Sequence, residues 1–160
     1  MKVLGIDPGA KYTGVSLRDL AEETILISST YVKPETLDIY EWARTLPALI
    51  NEDILQHHQV EIIGVEGISA PKGYQNGRRS PLNPKHIIST AILVGAFLLE
   101  YRTAVVVPPG KNGSTGVYPD VLNGRRPKTL PGSSAGATTR NHEKSAYDVA
   151  GEAFFITQQQ

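Results

Sequence analysis

Residues 60 to 67, VEIIGVEG, are apolar almost without a break and stop at an acid and a glycine. Such a run is expected of a strand buried on both faces, which calls for parallel pairing and for helices above and below the sheet. The neighbouring sequence supplies both. Residues 2 to 6, 12 to 17 and 24 to 32 are short, β-branched runs separated by turn signals, and predict three strands joined by hairpins. From Thr36, read as an N-cap, apolar residues recur at helical spacing from Leu37 to Ile54, with Pro47 expected to kink or divide the helix.

Asn83 and Pro84 then form a cap with proline at the first helical position, opening a helix to Tyr101 that is apolar nearly all round and must be buried in the core or against a second subunit. TAVVVP, residues 103 to 108, predicts another buried strand, and a last helix capped by Asn141 closes the pattern. The order is that of an α/β protein with a mixed five-stranded sheet, helices on both faces, and the first and fourth strands parallel neighbours through a right-handed crossover. At 160 residues and 40% hydrophobic content, one domain spanning residues 1 to 160 is expected.

The absence of cysteine excludes a disulfide framework and a thiolate zinc site. No run reaches the roughly 18 apolar residues of a membrane span, so a soluble, cytoplasmic protein without membrane partners is expected. Net charge is zero but unevenly spread. Residues 71 to 86 and 108 to 140 hold nine of the sixteen basic residues and one acid, whereas the remaining 111 residues hold fifteen acids and seven bases. Both basic segments are rich in Gly, Pro, Ser and Asn, which puts positive charge on loops over an acidic body. The stretch 109 to 140 exceeds ordinary loop length, and is expected to be functional or to order on binding.

In the expected topology Asp7 ends the first strand and Glu66 the fourth, so both carboxylates lie at one sheet edge, where open α/β sheets place their sites. Two adjacent carboxylates repel unless a cation or a shared proton neutralises them. Oxygen ligands of this kind suit Mg²⁺ or Mn²⁺. Asp148, on the last helix, shares a face with Ser145, three residues earlier. Each acid has a plainer role open to it, Asp7 as a turn former before Pro-Gly and Asp148 as a solvent-facing helix acid.

Three stretches, GIDPGAKYTG at the first strand, VEG at the fourth and HEKSAYDVAGEA on the last helix, stand in an order and spacing that resemble the RuvC-type Holliday-junction resolvases of the RNase H-like superfamily, above all those encoded by bacteriophages. The resemblance covers essentially the whole chain. It implies a homodimer, with the Asn83 to Tyr101 helix as the dimer element, that binds four-way or other branched DNA and cuts it with two divalent ions per site, Mg²⁺ with Mn²⁺ able to substitute. Cleavage would be hydrolytic and leave 5′-phosphates and 3′-hydroxyls. For a phage-encoded protein the compartment would be the host cytoplasm.

Carried over by position, Asp7, Glu66 and Asp148 match the metal-binding acids. Relatives have Asp or His where this chain has Ser145. His142 or Glu143 can substitute, or Ser145 can position a metal-bound water; on a straight helix His142 lies about 120° and Glu143 about 140° off the face of Asp148. His142 is preferred, because imidazole serves both as ligand and in proton transfer. Lys72, Arg78, Arg79, Lys111, Arg125, Arg126 and Lys128 are expected to hold the DNA backbone, with Tyr74 and Tyr118 available for stacking on unpaired bases.

Three other readings stay open or fall. The GIDPG turn also resembles the first phosphate loop of actin-like sugar kinases and chaperone ATPases, whose two lobes do not fit into 160 residues. Small RNase H-like nucleases of ribosomal-RNA processing share the first-strand motif. A branched-DNA-binding module with impaired catalysis is the third, and Ser145 is the residue that supports it.

Overall fold

The structure is a computed structural model that describes residues 1–68, 84–109 and 137–160, with side chains in the last group from residue 142 onward. Its elements are β1 (Lys2–Asp7), β2 (Tyr12–Asp19), β3 (Thr24–Val32), α1 (Ile39–Ile50) running into a π-helical turn (Asn51–Leu55), β4 (Ile62–Glu66), α2 (Pro84–Glu100), β5 (Val105–Val107) and α3 (Ala137–Gln158). The strands form one mixed sheet in the order β3-β2-β1-β4-β5. β1 is antiparallel to β2 and parallel to β4, and β4 is parallel to β5, as the run at residues 60 to 67 requires.

Strand alternation divides the core between two faces. Leu4, Ile6, Val15, Leu17 and Val65 point to one face and pack on Trp42, Leu46 and Ile50 of α1 and on Leu93 and Phe97 of α2. Each fully buried leucine or phenylalanine there contributes about 1.5–3 kcal/mol relative to exposure. Val3 and Val107 point the other way and meet Val149, Ala150 and Ala153 of α3. The α3 face is otherwise polar, with Arg18, Ser28 and Glu143 buried on it.

Several local expectations need correction. The cap of α1 is Asp38, not Thr36: the Glu41 amide donates to Asp38 Oδ1 at 2.8 Å, and Glu41 Oε2 accepts from the Asp38 amide at 3.0 Å. A reciprocal box needs a carboxylate or amide three residues on; Asp38 has Glu41, while Thr36 has Ile39. Pro47 does not divide α1, which continues to Ile50. The widening comes later, in the π-helical turn, and the Pro47 carbonyl accepts from the Tyr101 hydroxyl at 3.0 Å. Nearby, the Tyr31 hydroxyl donates to Asp53 at 2.8 Å, and burial, then that bond, push the phenol up from its ordinary value.

β5 is three residues long and forms a sheet edge, so Val106 is half exposed instead of buried. α2 buries one stripe, Ser89, Leu93, Val94 and Phe97, and leaves Ile88 and Leu99 exposed at 59% and 73%. α3 begins at Ala137, so Asn141 lies inside the helix and does not cap it. Close packing of the backbone at residues 142 and 143 on β2 holds this turn in place, and packing of that kind outweighs local capping preference. Among the described residues no helix is long and apolar enough to cross a membrane.

Candidate active site at the sheet edge

Because side chains alternate along a strand, Val3, Gly5 and Asp7 of β1 share the α3 face, as do Ile62, Gly64 and Glu66 of β4. The parallel register pairs Ile6 with Val65, so the next residues, Asp7 and Glu66, end neighbouring strands side by side. Both carboxylates are buried, with Asp7 exposed by 9% and Glu66 by 8%. After Asp7, Pro8 and Gly9 turn the chain away toward β2, where the Gly9 amide lies 3.5 Å from Thr13 Oγ1.

α3 lies across this face on three glycines. A Cβ at Gly14 of β2 would fall 2.2 Å from the His142 carbonyl oxygen, one at Gly5 of β1 would fall 1.9 Å from that of Ala146, and one at Gly64 of β4 would fall 2.6 Å from the Ala153 Cβ. Gly14 is the register partner of Asp7, and Gly5 that of Gly64. The helix therefore crosses β2, β1 and β4 in turn, nearly backbone on backbone, and its early turns pass over the acid edge.

That crossing brings two α3 side chains onto the two acids. His142 Nδ1 is 2.9 Å from Asp7 Oδ2, and the Ser145 hydroxyl donates to Glu66 Oε2 at 3.1 Å. Tyr12 flanks the imidazole with ring centroids 6.0 Å apart, and Gly9 leaves room for the ring, since a Cβ there would come 3.1 Å from His142 Cε1. The Lys11 ammonium lies 5.4 Å from the centroid of the same Tyr12 ring.

Two further sequence-derived candidates, Glu143 and Asp148, are buried on α3. Glu143 points toward β3, is fully buried, and accepts from the Ser28 and Thr30 hydroxyls at 3.3 and 3.1 Å. Asp148 is buried on α3, three residues beyond Ser145. Among the described residues no group of three or more His, Asp or Glu is gathered in a metal-holding arrangement. Lys72, Arg78, Arg79, Lys111, Arg125, Arg126 and Lys128, with Tyr74, Tyr118 and Asn83, lie outside the described residues.

Sequence reading missed the buried pair that anchors α3 to β2. Arg18, with no exposure, donates from Nη1 to the Tyr147 carbonyl at 3.0 Å and lies 3.7 Å over the Tyr147 ring. The one hint in the sequence was an arginine inside a strand of otherwise apolar and small residues.

Chemically, the edge presents two buried carboxylates side by side, one against an imidazole and one against a hydroxyl. Like charges so placed favour a cation or a shared proton between them.

Comparison with known proteins bears on the fold. No family model matches the chain, and no curated protein matches it. Among solved structures, the RuvC of Thermus thermophilus in complex with a Holliday junction substrate is similar over 99% of this chain and 96% of its own, with a TM-score of 0.65 and 16% identity. A second structure of RuvC from Thermus thermophilus gives a TM-score of 0.60 with the same identity and coverage. The chain thus has an α/β fold of the RNase H-like class. Within that class, the particular arrangement it shares is that of RuvC.

Proposed function

We propose that this chain is a divalent-metal-dependent endonuclease, acting as a single domain, that hydrolyses phosphodiester bonds in Holliday junctions or other branched DNA. The observation that carries the reading is the in-register pair of buried carboxylates, Asp7 and Glu66, with His142 and Ser145 brought onto them by α3. The RuvC-like fold supports it, because this sheet edge lies in the same architecture.

The donor set fits a hard divalent cation such as Mg²⁺, or Mn²⁺ in its place: two carboxylates on neighbouring strands, with an imidazole at hydrogen-bond distance from one of them. Asp7 and Glu66 would hold the ions, two per site, and Asp148 would complete the set. When bound, the ions supply Lewis-acid stabilisation of the phosphate charge and a nucleophilic water at neutral pH. The chain's own groups do the rest. Ser145 fixes one Glu66 oxygen, Asp7 orients the imidazole through Nδ1, and the opposite ring nitrogen of His142 is left to accept or return a proton.

Lys72, Arg78, Arg79, Lys111, Arg125, Arg126 and Lys128 would bind backbone phosphate without reading sequence. A homodimer through α2, where Ile88 and Leu99 stand exposed, would supply two sites for symmetric cutting. The products carry 5′-phosphates and 3′-hydroxyls, and the protein works in the cytoplasm, that of a host if it is phage-encoded.

Ser145, where relatives carry a ligand, favours a second reading, a branched-DNA-binding module with impaired catalysis. A cleavage assay on four-way, flap and linear duplex DNA with Mg²⁺ or Mn²⁺ separates the two. Wild type should cut branched DNA, and Asp7→Asn should bind it and cut at least 100-fold more slowly, on the order of the loss of an essential catalytic group. Binding without cutting in wild type under either metal would replace the nuclease with the binding module.

A further inference from the structure

On the α1 and α2 side of the same sheet edge there is a cavity of about 670 Å³, lined by Lys11, Lys33, Lys85 and His86, and by Glu35 and Asp38. Outside the two basic segments the chain has seven bases against fifteen acids, and two of the seven, Lys11 and Lys33, face this one space. Lys85 and His86 follow Pro84 in the first turn of α2. Lys11 comes four residues after Asp7, in the turn that leaves the acid edge.

The two lining acids are not equivalent. Asp38 uses its carboxylate on the Glu41 amide as the α1 cap, so its charge is set against the helix's own N–H groups. Glu35 is exposed and shares the cavity wall with three lysines and a histidine. Lys33 donates to the carbonyls of Pro34 and Leu37, which engages two of its three N–H groups and leaves one. α1 and α2 both begin at this cavity, and their N-terminal partial charges add to the positive potential. Flexible ammonium groups around an open cavity suit a compact anion with oxygen on all sides, that is, a phosphate.

We propose that this cavity binds a second backbone phosphate of the DNA strand whose scissile phosphate sits at Asp7 and Glu66, so that the strand is gripped on both faces of the sheet edge. The proposal rests on the nuclease reading above. It assigns substrate contact to Lys11, Lys85 and His86, in addition to the basic loop residues. Glu35 sets an upper limit on the affinity of that contact.

Two measurements test it. In the first, inorganic phosphate alone is titrated into the protein while backbone amide resonances are followed. Lys11, Lys85 and His86 should shift together in wild type and stop shifting in the Lys11→Ala/Lys85→Ala double variant. In the second, four-way junction binding is measured over a range of salt in an Asp7→Asn background. The double variant should bind at least about fivefold more weakly, with the slope of log K against log salt reduced by about 0.7–0.9 per lost contact.

Glu35→Gln should tighten the same binding, and a folding defect in one variant does not produce opposite effects in the two. Unchanged affinity and slope in both variants, with junction binding intact, overturn the inference and leave the nuclease reading standing. A protein that takes phosphate here but neither binds nor cuts branched DNA overturns both.

Discussion

His142 owes its place to residues far from it in sequence. It reaches Asp7 because Gly14 lets the helix backbone approach β2 and because Gly9 has no Cβ to block the ring. Measured against Asp148 on a helical wheel, the imidazole looked misdirected; measured against the strand that α3 crosses, it is well aimed. If it moves a proton, His142→Ala should slow single-turnover cleavage by about 100-fold or more, in the range of general acid–base catalysis. Ser145→Ala removes one hydrogen bond to a carboxylate, worth about 1.5–3 kcal/mol, and should slow cleavage by about tenfold or more while raising the metal concentration needed for half-maximal rate. Ser145→Asp, which places a third acid beside Glu66, should lower the same metal requirement. Asp7 and Glu66 were legible in sequence because strand ends and parallel pairing can be read locally. Glu143 was not: its partners Ser28 and Thr30 are 115 and 113 residues away, and no local pattern announces such a contact.

The order and pairing of the strands followed from residues 60 to 67, since a doubly buried run allows few topologies. The packing of α3 did not follow, because a glycine written in a strand marks a turn, a bulge or a close approach alike. Gly5, Gly14 and Gly64 are all close approaches. Gly5→Ala would drive its methyl into the Ala146 carbonyl, 1.9 Å away, and backbone cannot step aside as a side chain can. Chemical denaturation should find it less stable by about 1–3 kcal/mol, the cost of overpacking a filled site. Gly14→Ala should act differently, displacing the first turns of α3 and costing cleavage out of proportion to stability, because His142 rides on that segment. At α1 the error was of another kind. The sequence carries the reciprocal Asp38 and Glu41 spacing, but Thr36 offers a capping hydroxyl two residues earlier without a partner three residues on.

Across the whole molecule, charge is unevenly spread along the chain, with most of the acids outside the two basic segments, and apolar side chains of α2 stand exposed. Ile88 and Leu99, both exposed, fall along one side of α2, and Gly95 between them has open space around it. If two copies meet there, Leu99→Asp should convert a dimer to a monomer by sedimentation equilibrium and leave thermal stability of the monomer within about 0.5 kcal/mol, as for an ordinary surface change. The separation along the chain between the two halves of the site carries a further consequence. Asp7 and His142 are 135 residues apart, and Glu66 and Ser145 are 79 apart. At about 5–20 residues per second of synthesis, the strands emerge from the ribosome several seconds before the helix that completes the edge. A nascent chain therefore carries its acids without their imidazole, and on the nuclease reading proposed above its cutting would be withheld until translation has passed the segment that supplies α3.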